Sequence, residues 1–281
     1  MAELALAGQS GFITGGGSGI GLGCARHLVR DGASVTIAGR TLARVEAAAE
    51  ELRAEAPAGA EVRAVACDVT QEADVAAAVA AAVEVTGGLQ YCVASAGTGS
   101  LGPVVAMPED QWRAVLDTNL TGAFFTLKHA CAAMLRSGGG SWVGISSIAA
   151  PITHPYMAAY CVSKAGLEAL VRTAADELGR ANVRVNAVRP GIVPTELAAP
   201  LEQDPAVLAS YLREMPISRT GTVDDVAALT RFLLGPESSW ITGQCIGVDG
   251  GHHLRRGPDI EHWARALYGD DIVDGRLPAP G

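Results

Sequence analysis

Aromatic residues make up only 5% of this 281-residue chain and charged residues 18%, and the charge is lopsided: 30 Asp and Glu against 21 Lys and Arg, a net of −9. The few basic residues are scattered, which excludes the clustered cations that a nucleic-acid backbone requires. No uninterrupted apolar run is long enough to span a bilayer, and the N-terminus lacks the charged-then-apolar order of a signal peptide. The sequence therefore predicts a soluble cytoplasmic protein with neither nucleic-acid nor membrane partners. Cysteine is scarce too. Cys24, Cys67, Cys92, Cys131, Cys161 and Cys245 show no paired spacing and fall in predicted strands and helices, which excludes a disulfide framework and reads as buried thiols in a reducing compartment. His252-His253 after Asp249-Gly250-Gly251 invites a metal. Adjacent histidines on an extended strand point opposite ways, however, and no third spaced ligand follows, so no metal is expected.

What the chain has in quantity is apolar residues, 49% of the total, enough for one large globular core. They fall into two alternating patterns. Short β-branched runs around Phe12-Ile13 and at Ser34–Ala38, Val62–Ala66, Leu89–Ala94, Ser141–Ile145, Val183–Val188 and Cys245–Val248 predict seven strands. Alanine-rich segments at Leu22–Asp31, Thr41–Ala56, Gln71–Thr86, Glu109–Arg136, Met157–Arg180 and Val223–Leu234 carry apolar residues three and four apart and predict helices between them. Parallel strands need right-handed crossovers, so the expected fold is a Rossmann-type doubly wound α/β sheet with helices on both faces. One domain over 1–254 is expected, with residues 196–219 as a segment lacking a partner strand and 255–281 as a C-terminal extension. In that extension Ile260–Leu267 predicts a short amphipathic helix, whereas Asp270-Asp271 and Pro278–Gly281 read as loose.

Two constellations carry chemistry. Phe12-Ile13 runs into Thr14-Gly15-Gly16-Gly17-Ser18-Gly19-Ile20-Gly21 and then a helix, the strand–turn–helix order that presents backbone N–H groups and a positive helix end to a pyrophosphate. Gly15 allows the tight turn, Gly19 the close backbone approach, and Gly21 the packing of helix on sheet. Downstream, Tyr160 and Lys164 stand one helical turn apart, so an ammonium can sit beside a phenol and favour its ionised form. A free phenol titrates near about 10, too high for efficient proton exchange at neutral pH, and Lys164 is the expected corrector. Ser147 precedes them in an apolar strand-like segment.

Taken together, TGGGSGIG, Asp68-Val69, Ser95-Ala96-Gly97, Asn119, Ser147, Tyr160-Cys161-Val162-Ser163-Lys164 and Pro190-Gly191-Ile192-Val193-Pro194-Thr195 resemble the short-chain dehydrogenase/reductase family, in particular its 3-oxoacyl-carrier-protein reductase-like members. The resemblance implies a nicotinamide-dependent oxidoreductase acting on a ketone or secondary alcohol. Tyr160 would be the general acid or base, Ser147 would hydrogen-bond the substrate oxygen, and Lys164 would lower the phenol's pKa and hold the nicotinamide ribose. Asn119 would perturb its helix and hold a water in a proton relay. The family's serine-to-tyrosine interval selects Ser147 over its neighbour Ser146. The cofactor would meet Gly15, Ser18, Gly19, Ile20 and Gly21 at its phosphates, Asp68 and Val69 at its adenine, and Ser95, Ala96 and Gly97 below the ring. Pro190, Gly191, Val193 and Thr195 would close over the nicotinamide.

The resemblance also implies a substrate lid at 196–219 and a homotetramer built on helices Leu120–Arg136 and Met157–Leu178. The second strand ends in Ala38-Gly39-Arg40, without the carboxylate that would bond the adenosine ribose and repel a 2′-phosphate. Arg40 offers a guanidinium fork instead, which favours NADP(H) over NAD(H); an arginine stacked on adenine is the alternative. Ser95 stands where the family commonly has asparagine. The expected pocket walls, Thr98–Val104, Ile148–Tyr156 and the lid, supply Leu101, Ile148, Ile152, Tyr156, Leu197, Leu201 and Leu208, so a small molecule of largely apolar character is the expected partner. His154 lies near this wall, either as a structural residue or as one that orients a polar group. An enoyl-thioester reductase and a non-catalytic nucleotide sensor are the rival readings.

Overall fold

The computed structural model describes residues 4 to 255, residue 257 and residues 260 to 276. Seven parallel strands, β1 (Ser10–Thr14), β2 (Ser34–Gly39), β3 (Val62–Ala66), β4 (Tyr91–Ala94), β5 (Gly140–Ile145), β6 (Val183–Pro190) and β7 (Cys245–Val248), form one sheet in the order β3-β2-β1-β4-β5-β6-β7. The order reverses between β1 and β4, and a crevice opens at the carboxyl ends of the strands there, the place where such sheets bind ligands. Every residue of β1 and of β4 is buried, as expected of central strands covered on both faces.

Two separate cores explain why the helices alternate sides. One face holds Phe12, Cys92, Trp142 and Val185 under α3 (Glu72–Thr86), α5 (Gly122–Arg136) and α6 (Ala158–Leu178). The other holds Ile13, Ile37, Val93 and Val188 under α1 (Gly19–Arg30), α2 (Leu42–Glu55) and α9 (Val223–Leu234). Successive strand residues thus feed opposite faces.

The helix expected over Glu109–Arg136 is instead two: α4 (Glu109–Leu116) and α5, joined by a π-turn over Asp117–Thr121. Apolar periodicity runs through the joint and does not reveal it. The segment at 196–219, expected to lack a partner strand, contributes no strand and holds two helices, α7 (Ala199–Gln203) and α8 (Pro205–Glu214). In the extension, α10 (Glu261–Tyr268) forms where an amphipathic helix was expected, and Asp270-Asp271 start a short helix, α11 (Asp270–Val273), rather than a loose end. Pro278–Gly281 lie outside the described residues. His252 and His253 lie in a 3₁₀ turn, not a strand; His253 bonds Asp249 through Nδ1 at 2.8 Å. Cys161 and Cys245 are half-buried, the other four cysteines buried, and all six are free thiols. Among the described residues no helix is long and apolar enough to cross a membrane.

Candidate active site

A cleft of about 550 Å³ runs along the carboxyl ends of the central strands. At one end β1 turns into α1. Gly15 and Gly19 adopt φ of +65° and +52°, the left-handed region that favours glycine. A Cβ on Gly15 would stand 2.9 Å from the amide nitrogen of Ala96, so this glycine is also what lets β1 and β4 open side by side. Gly21 would collide with the Gly15 carbonyl at 2.3 Å, so it packs the helix against its own turn and not, as expected, against the sheet. Gly16, which sequence reasoning passed over, is the one that faces β2: a Cβ there would stand 2.6 Å from Cβ of Ile37.

Ser18 caps α1 without using its hydroxyl, and the first turn carries no acid, so the helix end is left open to an anion. Ile20, Val193 and Thr195 line the same end, and a Cβ on Gly19 would lie 3.2 Å from Cγ2 of Thr195. Arg40 is exposed at the rim, where no protein carboxylate pairs with it among the described residues. Arg44, not anticipated, also lines the rim and is paired with Glu196 at 2.5 Å. Asp68 spends its carboxylate on Thr70, whose hydroxyl donates to it at 2.8 Å, while Val69 packs against Gly122. These features fit a dinucleotide: an amide-rich anion seat, a small-residue floor at Ser95, Ala96 and Gly97, and a cation beyond.

The other end holds the side chains with proton chemistry. Lys164, 5% exposed, donates to the Ile145 carbonyl at 2.8 Å, and its nitrogen stands 5.6 Å from the centroid of the Tyr160 ring. Tyr160 starts near the N-terminus of α6, its backbone N–H donating to the Ser100 hydroxyl at 3.3 Å. Ser147 lies just past β5, where its Oγ accepts from the Ala149 amide at 3.1 Å and faces Tyr160. Ser146 points away and donates to Glu168 at 2.9 Å. Asn119, 1% exposed on the π-turn, accepts from the Thr98 amide and donates to its carbonyl, both at 2.8 Å, and donates to Ser163 at 3.1 Å. Pro190 and Gly191 complete the wall.

Burial modifies the expected electrostatics. The protein around Tyr160 raises its pKa above the ordinary phenol value, and the Ser147 hydrogen bond only partly offsets this. Lys164 is pushed down to about 8 by the same loss of water. The helical spacing shows that the two share a face; it does not show how dry that face is, and burial, not the lysine, sets the direction of the phenol's shift here. Cys161, beside the tyrosine, is raised by burial and donates to the His154 carbonyl at 3.8 Å, the state of an unreactive thiol.

Comparison with known proteins decides the family. A family model described as enoyl-(acyl carrier protein) reductase matches residues 15–253. The chain is 37% identical to 2-(S)-hydroxypropyl-CoM dehydrogenase 3 of Xanthobacter autotrophicus, over 85% of this chain and 94% of that one. It superposes on a short-chain type dehydrogenase/reductase from Mycobacterium ulcerans with a TM-score of 0.94 and 42% identity, covering 98% and 100% of the two chains. The chain belongs to the short-chain dehydrogenase/reductase family. It is an oxidoreductase acting on CH–OH or C=O groups, and its family uses a nicotinamide dinucleotide. A solved relative, a 7α-hydroxysteroid dehydrogenase complexed with NADH and 7-oxo glycochenodeoxycholic acid, matches at TM-score 0.83 and 32% identity over 89% of this chain and 96% of that one.

Within this dehydrogenase/reductase the sequence reading missed a buried ion pair behind the site. Glu168, one turn after Lys164 on α6 and 4% exposed, holds Arg189 in two charge-assisted bonds of 2.5 and 2.6 Å and also accepts from Ser146. Arg189 directly precedes Pro190-Gly191, and Ser146 directly precedes Ser147, so one carboxylate fastens three segments of the site. An acid among apolar residues of an Ala-rich helix was its only signal in the sequence. Breaking a buried pair leaves a charge without its counter-ion. Glu168→Gln is expected to lose about 3 kcal/mol of stability, read as a lower urea midpoint with unchanged slope.

The substrate end is apolar. Ile148, Leu197 and Leu201 line the cleft as expected. Leu101, Tyr156 and Leu208 pack instead into a third cluster with Ile192, Val207 and Met215, and Ile152 does not line it. The tail reaches this region: Ile260 and Trp263 join the cluster, and Tyr268 donates to the Leu101 carbonyl at 2.9 Å.

Proposed function

We propose that this dehydrogenase/reductase reduces a largely apolar ketone to a secondary alcohol, and the reverse, by hydride exchange with NADP(H). The observation that carries the reading is the convergence of Ser147, Tyr160 and Lys164 on one wall of a cleft whose far end is an open helix N-terminus. The nicotinamide supplies the hydride in reduction and accepts it in oxidation. Tyr160 gives its phenolic proton to the carbonyl oxygen as negative charge develops there, and Ser147 donates a hydrogen bond to the same oxygen. Lys164, anchored on Ile145, stabilises the phenolate that remains. A phenol whose pKa is raised is protonated at neutral pH, so the resting enzyme already holds the form that reduction needs. Asn119 spends its side chain on Thr98 and Ser163, which supports a positioning role for it. Thr195, close over Gly19, is read as a pyrophosphate contact.

Arg40 without a protein partner, with Arg44 beside it, favours the phosphorylated cofactor. The test is a screen of lipophilic ketones and secondary alcohols with both cofactors, followed by nicotinamide absorbance. At least about a tenfold higher kcat/KM with NADPH than with NADH is expected, and Arg40→Asp should invert it, each tenfold being about 1.4 kcal/mol. A tenfold preference of the wild type for NADH would contradict the assignment. The description attached to the family model makes enoyl-thioester reduction the second reading. A crotonyl thioester in the same screen separates them: its consumption without that of any ketone would favour the second. Half-exposed Phe124 on α5 and Val162 on α6 support pairing of these helices in a homotetramer. The free thiols support a reducing, cytoplasmic setting.

A further inference from the structure

The apolar end of the cleft has one polar corner. Tyr211, on α8, lines the cleft at 4% exposure, its ring set edge-on against His252 with centroids 5.4 Å apart. Its hydroxyl has no hydrogen-bond partner among the described residues. The oxygen is not among the fully buried polar atoms that lack a partner, so it opens onto the cleft, free to donate to a bound molecule that takes the place of water. His154, 5% exposed, lines the same cleft and bonds the Ile152 carbonyl through Nδ1 at 2.9 Å. That bond places the proton on Nδ1, and burial keeps the ring neutral, so Nε2 is an acceptor. Among the described residues the cations of the cleft, Arg40, Arg44 and Lys164, belong to the cofactor rim and the catalytic wall.

We propose that Tyr211 and His154 form a subsite for a second, uncharged hydroxyl of the substrate, so that the natural substrate is a hydroxyketone or diol on an otherwise apolar frame. A hydroxyl accepts from Tyr211 and donates to His154 at once. A carboxylate finds no cation there among the described residues, and a plain hydrocarbon takes water from the Tyr211 hydroxyl without replacing its hydrogen bond. The subsite is held in place before substrate arrives. Asp204 caps α8, accepting from the Ala206 amide at 2.9 Å, and is itself gripped by the tail through His262 at 2.9 Å and Trp263 Nε1. The tail therefore fixes the helix that carries Tyr211, at the entropic advantage of a preorganised site.

This inference rests on the ketone reductase reading and is tested beside it. Octan-2-one and octan-2-ones bearing a hydroxyl at each successive carbon are compared by kcat/KM with the wild type, Tyr211→Phe and His154→Leu. The wild type should prefer at least one hydroxyketone over octan-2-one by about tenfold or more, since a site built to bond a hydroxyl rejects the analogue lacking it. Either variant should bring that ratio to within about threefold of one, whatever its absolute rate. A smaller wild-type preference at every position, or a preference that survives both variants, overturns the subsite. Oxidation of cofactor by octan-2-one without discrimination sinks the subsite alone; no turnover of any of these ketones sinks the ketone reading with it.

Discussion

Tyr160→Phe is expected to lower kcat/KM for ketone reduction by about a thousandfold, the scale of a positioned general acid, while the dissociation constant of the reduced cofactor changes little. The substitution removes one oxygen and keeps the ring that Lys164 stands over at 5.6 Å. Ser147 remains to bond the substrate oxygen, so the lost factor belongs to the proton and not to binding. Stopped turnover read with cofactor fluorescence titration separates the two. A non-catalytic nucleotide sensor would bind cofactor equally well before and after, and would show no turnover to lose.

Lys164→Met should separate activity from stability in opposite directions. Activity is expected to fall by at least about a hundredfold, because the phenolate that forms after proton transfer loses its counter-charge. Stability at neutral pH should rise. The ammonium is buried with one carbonyl partner, and its fall from 10.5 to about 8 is the signature of a charge held in the folded state at a cost. After allowance for the Ile145 carbonyl left unpaired, the gain is on the order of 2 kcal/mol.

The pH dependence follows in sign. Between about 8 and 10.5 the unfolded chain keeps a proton on Lys164 that the folded chain has released, so wild-type stability climbs across that window and Lys164→Met lacks the climb. The kcat/KM for reduction should fall as pH passes about 8, as the free enzyme loses the ammonium. A melting temperature unchanged or lowered in the variant, measured at neutral pH, would contradict the account of a dry lysine.

Much of this was legible in the chain. The inner strands stood out because a strand buried on both faces is a short, nearly continuous apolar run, and the order of motifs located the crevice. Spacing identified which side chains share a face: Tyr160 with Lys164, and Ser147 ahead of them. The remainder depends on distances through space. Nothing in the run around Asn119 breaks the apolar period, so a perturbed helix there was expected only from the resemblance, and the clamp of its amide on Thr98 is seen only once α4 and α5 are apart. Glu168 and Arg189 are 21 residues apart and meet only because β6 lies beside the helix. The glycine roles were partly misread for the same reason: the motif does not show that a Cβ on Gly16 would meet Ile37 of β2 while one on Gly21 would meet the Gly15 carbonyl. The helices α7 and α8 within the lid were not foreseen: they are short, and Asp204, which caps α8, is held by the tail through contacts made 58 and 59 residues away.

The central claim is that a hydride crosses between a nicotinamide and a carbonyl carbon while Tyr160 supplies the proton. Reduction of a screened ketone with cofactor carrying deuterium on the transferred position of the dihydronicotinamide tests it most directly. The account predicts one deuterium on the carbinol carbon of the alcohol, seen by mass spectrometry, with the hydroxyl proton drawn from solvent and the product formed about a thousandfold more slowly with Tyr160→Phe. Alcohol formed at an undiminished rate by Tyr160→Phe, or deuterium missing from the carbinol carbon, would contradict it.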